Sequence, residues 1–299
     1  MTELVIMDGG MGRELERVGA PFSQPLWSAQ ALIESPQHVL QAHENFIHSG
    51  AELIITNSYA CVPFHLGRDL YQSRGTELAS LSGKLAKQAK LNMNTSVNVS
   101  GSLPPPFGSY RPDLFLPDEA ESIYTELMKA QEPYVDSWIV ETLSSVVEFE
   151  IAHKVLNSSD KPRYYAFTLS DKLNEQPTLR SGESVRQAIT KACELGADAV
   201  LFNCSVPEVM EQALADSNEI MNRCSVSMTL GAYANSFSAI QSDHEANDTL
   251  QAMRPLSPLE YLAFAQRWYE AGARIIGGCC GIGPEHIEEL AKWKSNLSQ

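Results

Sequence analysis

The chain has 299 residues, of which 37 are acidic and 22 are Lys or Arg, which gives a formal net charge of −15. Nucleic acids and anionic membranes are bound by basic surfaces, so this charge argues against both as partners. We find no run of about 18 apolar residues and no basic leader, and we expect a cytoplasmic protein. In that compartment its six cysteines are expected to be thiols or metal ligands rather than disulfides.

Short apolar runs alternate along the chain with longer segments of helical pattern, which is typical of parallel α/β architecture. There are eight such strand–helix units, the number in a TIM (β/α)8 barrel, so we predict a single barrel domain over residues 1–299. The alternative is a doubly wound open sheet, but no Gly-x-Gly-x-x-Gly opens the first helix. The predicted strands are 4–7, 53–55, 97–99, 138–140, 164–168, 199–202, 226–230 and 274–276. The predicted helices are 36–49, 76–92, 118–134, 146–156, 183–195, 208–215, 258–271 and 284–292.

Two adjacent cysteines follow the last predicted strand, in the run Gly277-Gly278-Cys279-Cys280-Gly281. Neighbouring side chains of a regular strand point to opposite faces, but the flanking glycines let the two thiols converge. Converging thiols suit Zn²⁺ and form half of a tetrahedral site. The alternative is a tight turn with two packed thiols.

A third cysteine, Cys204, follows the sixth predicted strand, and the carboxyl ends of all barrel strands share one face. We therefore predict a catalytic Zn²⁺ held by Cys204, Cys279 and Cys280, with the fourth position open to substrate. The other cysteines are expected to be packing or surface thiols; they are Cys61, Cys193 and Cys224.

Several polar residues also lie just past the ends of predicted strands, where barrel active sites are built. They are Asp8, Thr56, Asn57, Glu141, Asn203 and Asn235. The irregular stretch 235–256 that follows the seventh strand is long enough to be a lid or a substrate loop.

Taken together, these motifs resemble the zinc-dependent homocysteine S-methyltransferases over nearly the full chain. The segments that carry the resemblance are Asp8-Gly9-Gly10-Met11-Gly12, Leu26-Trp27-Ser28-Ala29, Thr56-Asn57-Ser58-Tyr59, Glu141-Thr142, Asn203-Cys204, Tyr233-Ala234-Asn235-Ser236 and 277–281. The resemblance implies a TIM barrel, three cysteine zinc ligands and methyl transfer to the sulfur of homocysteine, which gives methionine. It also implies that Asp8 and Glu141 hold the ammonium group of the amino acid.

The methyl donor is expected to be cationic, since a cation is attracted to aromatic faces such as those of Trp27, Tyr59 and Tyr233. The sequence is most similar to the branch that uses S-methylmethionine or S-adenosylmethionine. Arg13 and the run 104–106 of three prolines depart from that pattern and could reshape the donor pocket. The predicted substrate-binding residues are Asp8, Gly9, Trp27, Thr56, Tyr59, Glu141, Asn203 and Asn235.

Other functions stay open at this stage. Betaine or another donor, or another thiol acceptor, fits the same motifs. A zinc–thiolate barrel without methyl transfer, either a thiol sensor or a hydrolase with Glu141 as its base, is a second class, although an all-thiolate shell weakens the metal as a Lewis acid. The expected partners are two small molecules, and self-association is left open.

Overall fold

The computed structural model describes residues 3–23, 25–173, 175–238 and 253–297. Its strands all pair in parallel, in the order β1-β8-β7-β6-β5-β4-β3-β2. A parallel bridge between Met7 and Leu53, with the Asp8 amide donating to the Leu53 carbonyl at 2.9 Å, joins the two ends. The predicted TIM barrel is therefore confirmed. The strands are β1 Val5–Ile6, β2 Leu53–Ile55, β3 Asn98–Leu103, β4 Ser137–Leu143, β5 Arg163–Thr168, β6 Ala199–Asn203, β7 Thr229–Tyr233 and β8 Ile275–Ile276.

Helices follow the strands and cover the outside of the barrel. Local sequence explains where several of them begin and end: Ser184 and Ser257 form capping boxes, and Gly196 ends one helix in the left-handed conformation. The helices are α1 Met11–Arg17, α2 Ala29–Glu34, α3 Pro36–His48, α4 Pro63–Leu66, α5 Arg68–Asn92, α6 Pro117–Gln131, α7 Val146–Leu156, α8 Val185–Leu195, α9 Met210–Cys224, α10 Pro258–Glu270 and α11 Pro284–Leu297.

The strands are buried on both faces, which explains why they appear in the sequence as continuous apolar runs. Along β6, Ala199 and Leu201 belong to the small cluster inside the barrel, whereas Val200 and Phe202 pack in the larger cluster beneath the helices. This double burial makes the barrel rigid and fixes the positions of the loops at the strand ends.

Several predicted boundaries are wrong, and two of them are wrong for a tertiary reason. The third strand was predicted to end at residue 99, but Gly101 and Ser102 lie within β3. A Cβ at Gly101 would come within 2.5 Å of the Trp138 ring, so a glycine is required there. β7 lies three residues later than predicted and contains Gly231, whose Cβ position is only 2.6 Å from the Ile275 carbonyl. Helix α9 extends to Cys224, well beyond the predicted end at 215.

The predicted loop 235–256 falls largely on residues 239–252, which lie outside the described residues. The residues on either side of this gap are joined to each other and to residues 277–281, which we call the cysteine turn. Phe237 bridges Met253, and the Ser236 amide donates to the Cys280 carbonyl at 2.9 Å. Across the ranges that the structure describes, no helix combines the length and apolar character needed to cross a bilayer.

Candidate active site

A pocket with a volume of about 140 Å³ opens at the carboxyl ends of the strands. Nine of the residues predicted from the sequence line it: Asp8, Gly9, Trp27, Thr56, Tyr59, Glu141, Cys204, Cys279 and Cys280. The predicted residues Asn203 and Asn235 are fully buried and are not among the residues that line the pocket. The barrel thus gathers groups that are up to 270 residues apart in sequence.

Cys204 and Cys279 are brought together from β6 and β8, with their Cα atoms 5.8 Å apart, and the structure joins them as a disulfide. Cys280 keeps a free thiol in the same pocket, and burial raises the pKa of that thiol to about 11. Backbone hydrogen bonds hold the turn: the Cys279 amide donates to the Ala234 carbonyl at 2.9 Å, and the Cys204 amide to the Tyr233 carbonyl at 3.3 Å.

With two of the sulfurs joined to each other, the described residues include no group of three His, Cys, Asp or Glu side chains arranged to hold a metal ion. The donor set nevertheless suits Zn²⁺ once the pair is reduced. Three cysteine sulfurs would then border one pocket, and three protein thiolates with an open position are typical of catalytic zinc.

Two carboxyl groups, those of Asp8 and Glu141, are buried in the lining of the pocket. Asp8 accepts a hydrogen bond from the Ile55 amide at 2.8 Å, but burial, together with the nearby Glu141 charge, still raises its pKa well above the ordinary value. Glu141 accepts hydrogen bonds from the Ser102 hydroxyl at 2.6 Å and from the Tyr233 hydroxyl at 3.3 Å. Burial raises the pKa of Glu141 from 4.5 to about 7. Two buried carboxyl groups this close suit a ligand with a positive charge.

The pocket has an aromatic wall. Trp27 packs against Phe22 with ring centroids 5.0 Å apart, and the Tyr59 hydroxyl bonds the Ser109 hydroxyl at 2.5 Å. Aromatic faces attract cations, most strongly where water is excluded. The aromatic residues that line the pocket are Phe22, Trp27, Tyr59, Tyr110, Tyr233 and Phe237.

Tyr110 is held from behind by a buried ion pair. The Arg180 guanidinium lies 4.9 Å from the centre of the Tyr110 ring and bonds Asp171 at 2.9 Å. Asp171 also accepts from the Val206 amide at 3.0 Å, two residues after Cys204. The same pair therefore supports the aromatic wall and the turn that carries a predicted metal ligand.

Backbone strain concentrates at this end of the barrel. Left-handed φ angles, which are costly for residues other than glycine, occur at Trp27 (51°), Tyr110 (67°), Thr142 (58°) and Cys204 (46°). Three of these residues line the pocket, and Thr142 follows Glu141 directly. Strained residues of this kind cluster at functional sites because the surrounding structure holds them in a required orientation.

Comparison with known proteins agrees with this geometry: the profile of one family, described as Homocysteine S-methyltransferase, matches residues 5–293. The chain belongs to the homocysteine S-methyltransferase family. Among its relatives, homocysteine S-methyltransferase YbgG of Bacillus subtilis is 28% identical, over 98% of this chain and 95% of YbgG. Homocysteine S-methyltransferase 1 of Brassica oleracea is 26% identical, over 96% of this chain and 92% of its own.

One further relative and one solved structure are also similar to this chain. A selenocysteine methyltransferase of Astragalus bisulcatus is 24% identical, over 96% of this chain and 91% of its own. The metallated form of the homocysteine methyltransferase MmuM from Escherichia coli superimposes with a TM-score of 0.80, at 24% identity, over 97% of this chain and 96% of MmuM. At that identity the structural likeness shows the fold of the family.

Three predicted residues form hydrogen bonds with their neighbours around the pocket. Asn203 and Asn235 are not in its lining, whereas Thr56 is. Asn203 donates to the Thr142 hydroxyl at 3.0 Å and accepts from the Thr142 amide at 3.2 Å, so it fixes the strained residue after Glu141. The Asn235 side chain accepts from the Phe237 amide at 3.1 Å. The Thr56 hydroxyl donates to Gln131 at 2.6 Å and accepts from the Ser102 amide at 2.9 Å.

Sequence reasoning missed several lining residues, among them Phe22, Glu16, Tyr110 and Phe237. Glu16 lies within α1 and Phe22 follows that helix, so neither residue lies at the end of a strand. Tyr110 lies in the proline-rich loop after β3, directly after Gly108-Ser109; the two aromatic residues of that stretch, Phe107 and Tyr110, were the available signal. Arg13, noted as a departure from the family pattern, also lines the pocket.

Close packing between the first loop and the cysteine turn leads to a prediction. A Cβ at Gly10 would lie 2.6 Å from the Cys279 carbonyl oxygen and 3.1 Å from the Cys280 Cα. Because both neighbours are backbone atoms, Gly10→Ala is expected to displace the turn and to destabilise the protein by about 1–3 kcal/mol in denaturant unfolding.

Gly12→Ala is the matched control. Gly12 lies in α1, and its nearest neighbours would be 3.5 Å or more from the added Cβ, so the alanine fits and is expected to stabilise the helix by about 0.5–1 kcal/mol. Equal unfolding free energies for the two variants would contradict close packing between Gly10 and the cysteine turn.

Proposed function

We propose that this protein transfers a methyl group from a cationic donor to the sulfur of homocysteine, and that the product is methionine. The observation that carries the proposal is the meeting of three cysteines, two buried carboxyl groups and an aromatic wall in one pocket. Membership of the homocysteine S-methyltransferase family supports the same reaction. We further propose that the barrel acts as one catalytic domain, because the cysteines and carboxyl groups come from its strand ends and much of the aromatic wall comes from its loops.

In this proposal the acceptor is bound through its amino group. Asp8 and Glu141 lie in the same pocket, and the Glu141 charge acts on Asp8. An ammonium group between them would offset the desolvation that raises the pKa of both carboxyl groups, and it would receive charge-assisted hydrogen bonds. The homocysteine sulfur, which three carbons separate from the ammonium nitrogen, would then be directed toward the cysteines.

We propose that the reduced side chains of Cys204, Cys279 and Cys280 hold Zn²⁺. Bound there, the metal would keep the acceptor sulfur in its nucleophilic thiolate form at neutral pH. The chain's own contribution is to orient the acceptor, to hold the turns that carry the thiols and to exclude water.

The donor is proposed to be a sulfonium, with S-methylmethionine or S-adenosylmethionine as the compounds to test first. In the transfer the sulfur of the acceptor forms a bond to the methyl carbon while the bond from that carbon to the donor sulfur breaks, and the donor leaves as a neutral thioether. The positive charge of the sulfonium and the negative charge of the thiolate disappear together, so an aromatic wall that excludes water favours the step. Tyr59, Tyr110 and Trp27 are the aromatic faces proposed to bind the cation.

The test is methyl transfer itself. Protein that has been reduced and supplied with Zn²⁺ would be incubated with homocysteine labelled with ¹³C in its carbon chain and a donor carrying trideuterated methyl groups. Methionine that carries both labels would be measured by mass spectrometry. The donors are S-methylmethionine, S-adenosylmethionine and glycine betaine, and selenocysteine is a second acceptor because a relative is named for it. Labelled methionine from a sulfonium is the expected result. No labelled product with any donor would refute the proposal and favour the sensor or hydrolase alternative.

A further inference from the structure

We infer that Arg13 binds the carboxylate of an amino-acid substrate and thereby selects substrates that carry one. Arg13 lies on α1, one turn after the first loop, and its side chain lines the pocket. Cys280 lines the same pocket. This inference rests on the proposed function, because it concerns the substrates of the same pocket.

The balance of charge in the pocket supports this role. Among the described residues that line it, Asp8, Glu16 and Glu141 are acidic and Arg13 is the single cation. A zwitterionic amino acid brings a carboxylate as well as an ammonium group. Without a cation, that carboxylate would enter a site with three acidic side chains, in a chain of net charge −15.

The charged side chains of the pocket differ in how exposed they are, and this difference orients a bound amino acid. Asp8 and Glu141 are only 3% and 8% exposed, whereas the Arg13 side chain is 43% exposed. The carboxyl groups of Asp8 and Glu141 therefore lie deep in the pocket, whereas Arg13 and its partner Glu16 lie nearer the rim. An amino acid fits this gradient with its ammonium group inward and its carboxylate toward Arg13.

The present partner of Arg13 is easily displaced. Arg13 bonds Glu16 at 2.6 Å, three residues further along α1, and both side chains are partly exposed. Pairs of this type contribute little to stability because solvent screens them and ordering two long side chains costs entropy. A planar guanidinium can bind a carboxylate through two parallel hydrogen bonds, so a substrate can replace Glu16.

Both substrates can carry the carboxylate, and matched ligands distinguish them. For the acceptor, homocysteine is compared with 3-aminopropanethiol, which keeps the thiol and the ammonium group but has no carboxylate. For the donor, S-methylmethionine is compared with (3-aminopropyl)dimethylsulfonium, which keeps the cationic sulfur and the ammonium group but has no carboxylate. Binding is measured by calorimetry on the reduced, zinc-supplied protein, so the readout does not depend on turnover.

Arg13→Gln is expected to weaken binding of the carboxylate-bearing member of one pair by about three- to tenfold and to leave its carboxylate-free partner unchanged. The pair that responds identifies the substrate whose carboxylate is bound. Glu16→Gln is expected to strengthen the same binding, because it removes the competing carboxylate. Arg74→Gln is the matched control: Arg74 forms the same kind of exposed pair with Glu77 on α5, away from the pocket, and should have no effect.

Equal changes for ligands with and without the carboxylate, or no change in either pair, would overturn the inference. That result is distinct from failure of the proposed function. Methionine formation that is insensitive to Arg13→Gln would leave the reaction intact and remove the role of Arg13. Binding that depends on Arg13 without any methyl transfer would support the role of Arg13 and refute the proposed reaction.

Discussion

Replacing Cys280 with serine is expected to remove bound zinc and to lower the rate of methionine formation at pH 7 by at least about 30-fold. A thiol that keeps its ordinary pKa of about 8.5 is roughly 3% thiolate at that pH, so loss of deprotonation alone accounts for this factor. Cys280 is the one predicted ligand that is outside the disulfide, and its thiol already borders the pocket. Zinc content by elemental analysis and initial rates with a labelled donor are the two measurements.

The control is Cys193→Ser, because Cys193 lies on α8 and does not line the pocket, so zinc content and rate should match those of the unaltered protein. A second readout separates the three cysteines. After chelation in air, peptide mapping of Cys280→Ser should still find Cys204 linked to Cys279, since those Cα atoms are 5.8 Å apart. A Cys280→Ser protein with full zinc and full rate would exclude this cysteine from the metal site.

Much of this site was predictable because strand ends carry positional information. A buried apolar run that stops at a polar residue marks the carboxyl end of a strand, and a barrel brings all such ends together. That reasoning predicts that Asp8, Glu141, Cys204 and Cys279 lie at the same end of the barrel, and all four line the pocket. The number of strands was predictable for the same reason, since each unit repeats the alternation of strand and helix.

Side-chain direction was not predictable in the same way. Asn203 ends β6 next to Cys204, but its amide turns toward Thr142, whereas Cys204 adopts a left-handed φ and lines the pocket. Tyr110 was missed for the opposite reason: its loop has no periodic pattern, and its position depends on Arg180, seventy residues away. Contacts between distant segments leave no trace in local sequence patterns.

Strand boundaries failed where packing overrides local preference. Glycine is unfavourable within strands, so Gly101 and Gly231 indicated loops or strand ends. In the barrel both positions face large or close neighbours, the Trp138 ring and the Ile275 carbonyl, and only glycine leaves room for them. The sequence contains those partners but not their proximity.

The second large effect concerns Glu141, whose replacement with glutamine is expected to weaken homocysteine binding about tenfold or more at pH 8 while zinc content is unchanged. The neutral amide keeps the shape but cannot offer the charge-assisted hydrogen bonds, each contributing about 1.5–3 kcal/mol, that an ammonium group receives from a carboxylate. The matched ligand is 4-mercaptobutanoate, which is homocysteine without its amino group and should bind the two proteins equally. Equal losses for both ligands would mean that Glu141 supports the fold rather than the amino group.

The pH dependence has a definite sign. Because the pKa of Glu141 is raised to about 7, the carboxyl group is largely neutral at pH 6, and homocysteine binding to the unaltered protein should improve as pH rises through 7. Stability changes in the opposite direction. A group whose pKa is higher in the folded state than its ordinary 4.5 favours folding below that value and loses this contribution as pH rises through about 7.

Glu141→Gln should therefore make the ligand-free protein more stable at pH 8, by up to about 3 kcal/mol at 1.36 kcal/mol per pH unit. Glu148 is the matched control, since it is equally buried, its pKa is also raised to about 7, and it lies outside the pocket lining. Glu148→Gln should give a similar gain in unfolding free energy with no loss of homocysteine affinity. A stabilised Glu141→Gln protein that has lost homocysteine binding, beside a stabilised Glu148→Gln protein that has kept it, would indicate that Glu141 is kept charged at a cost in stability because the substrate's ammonium group requires it.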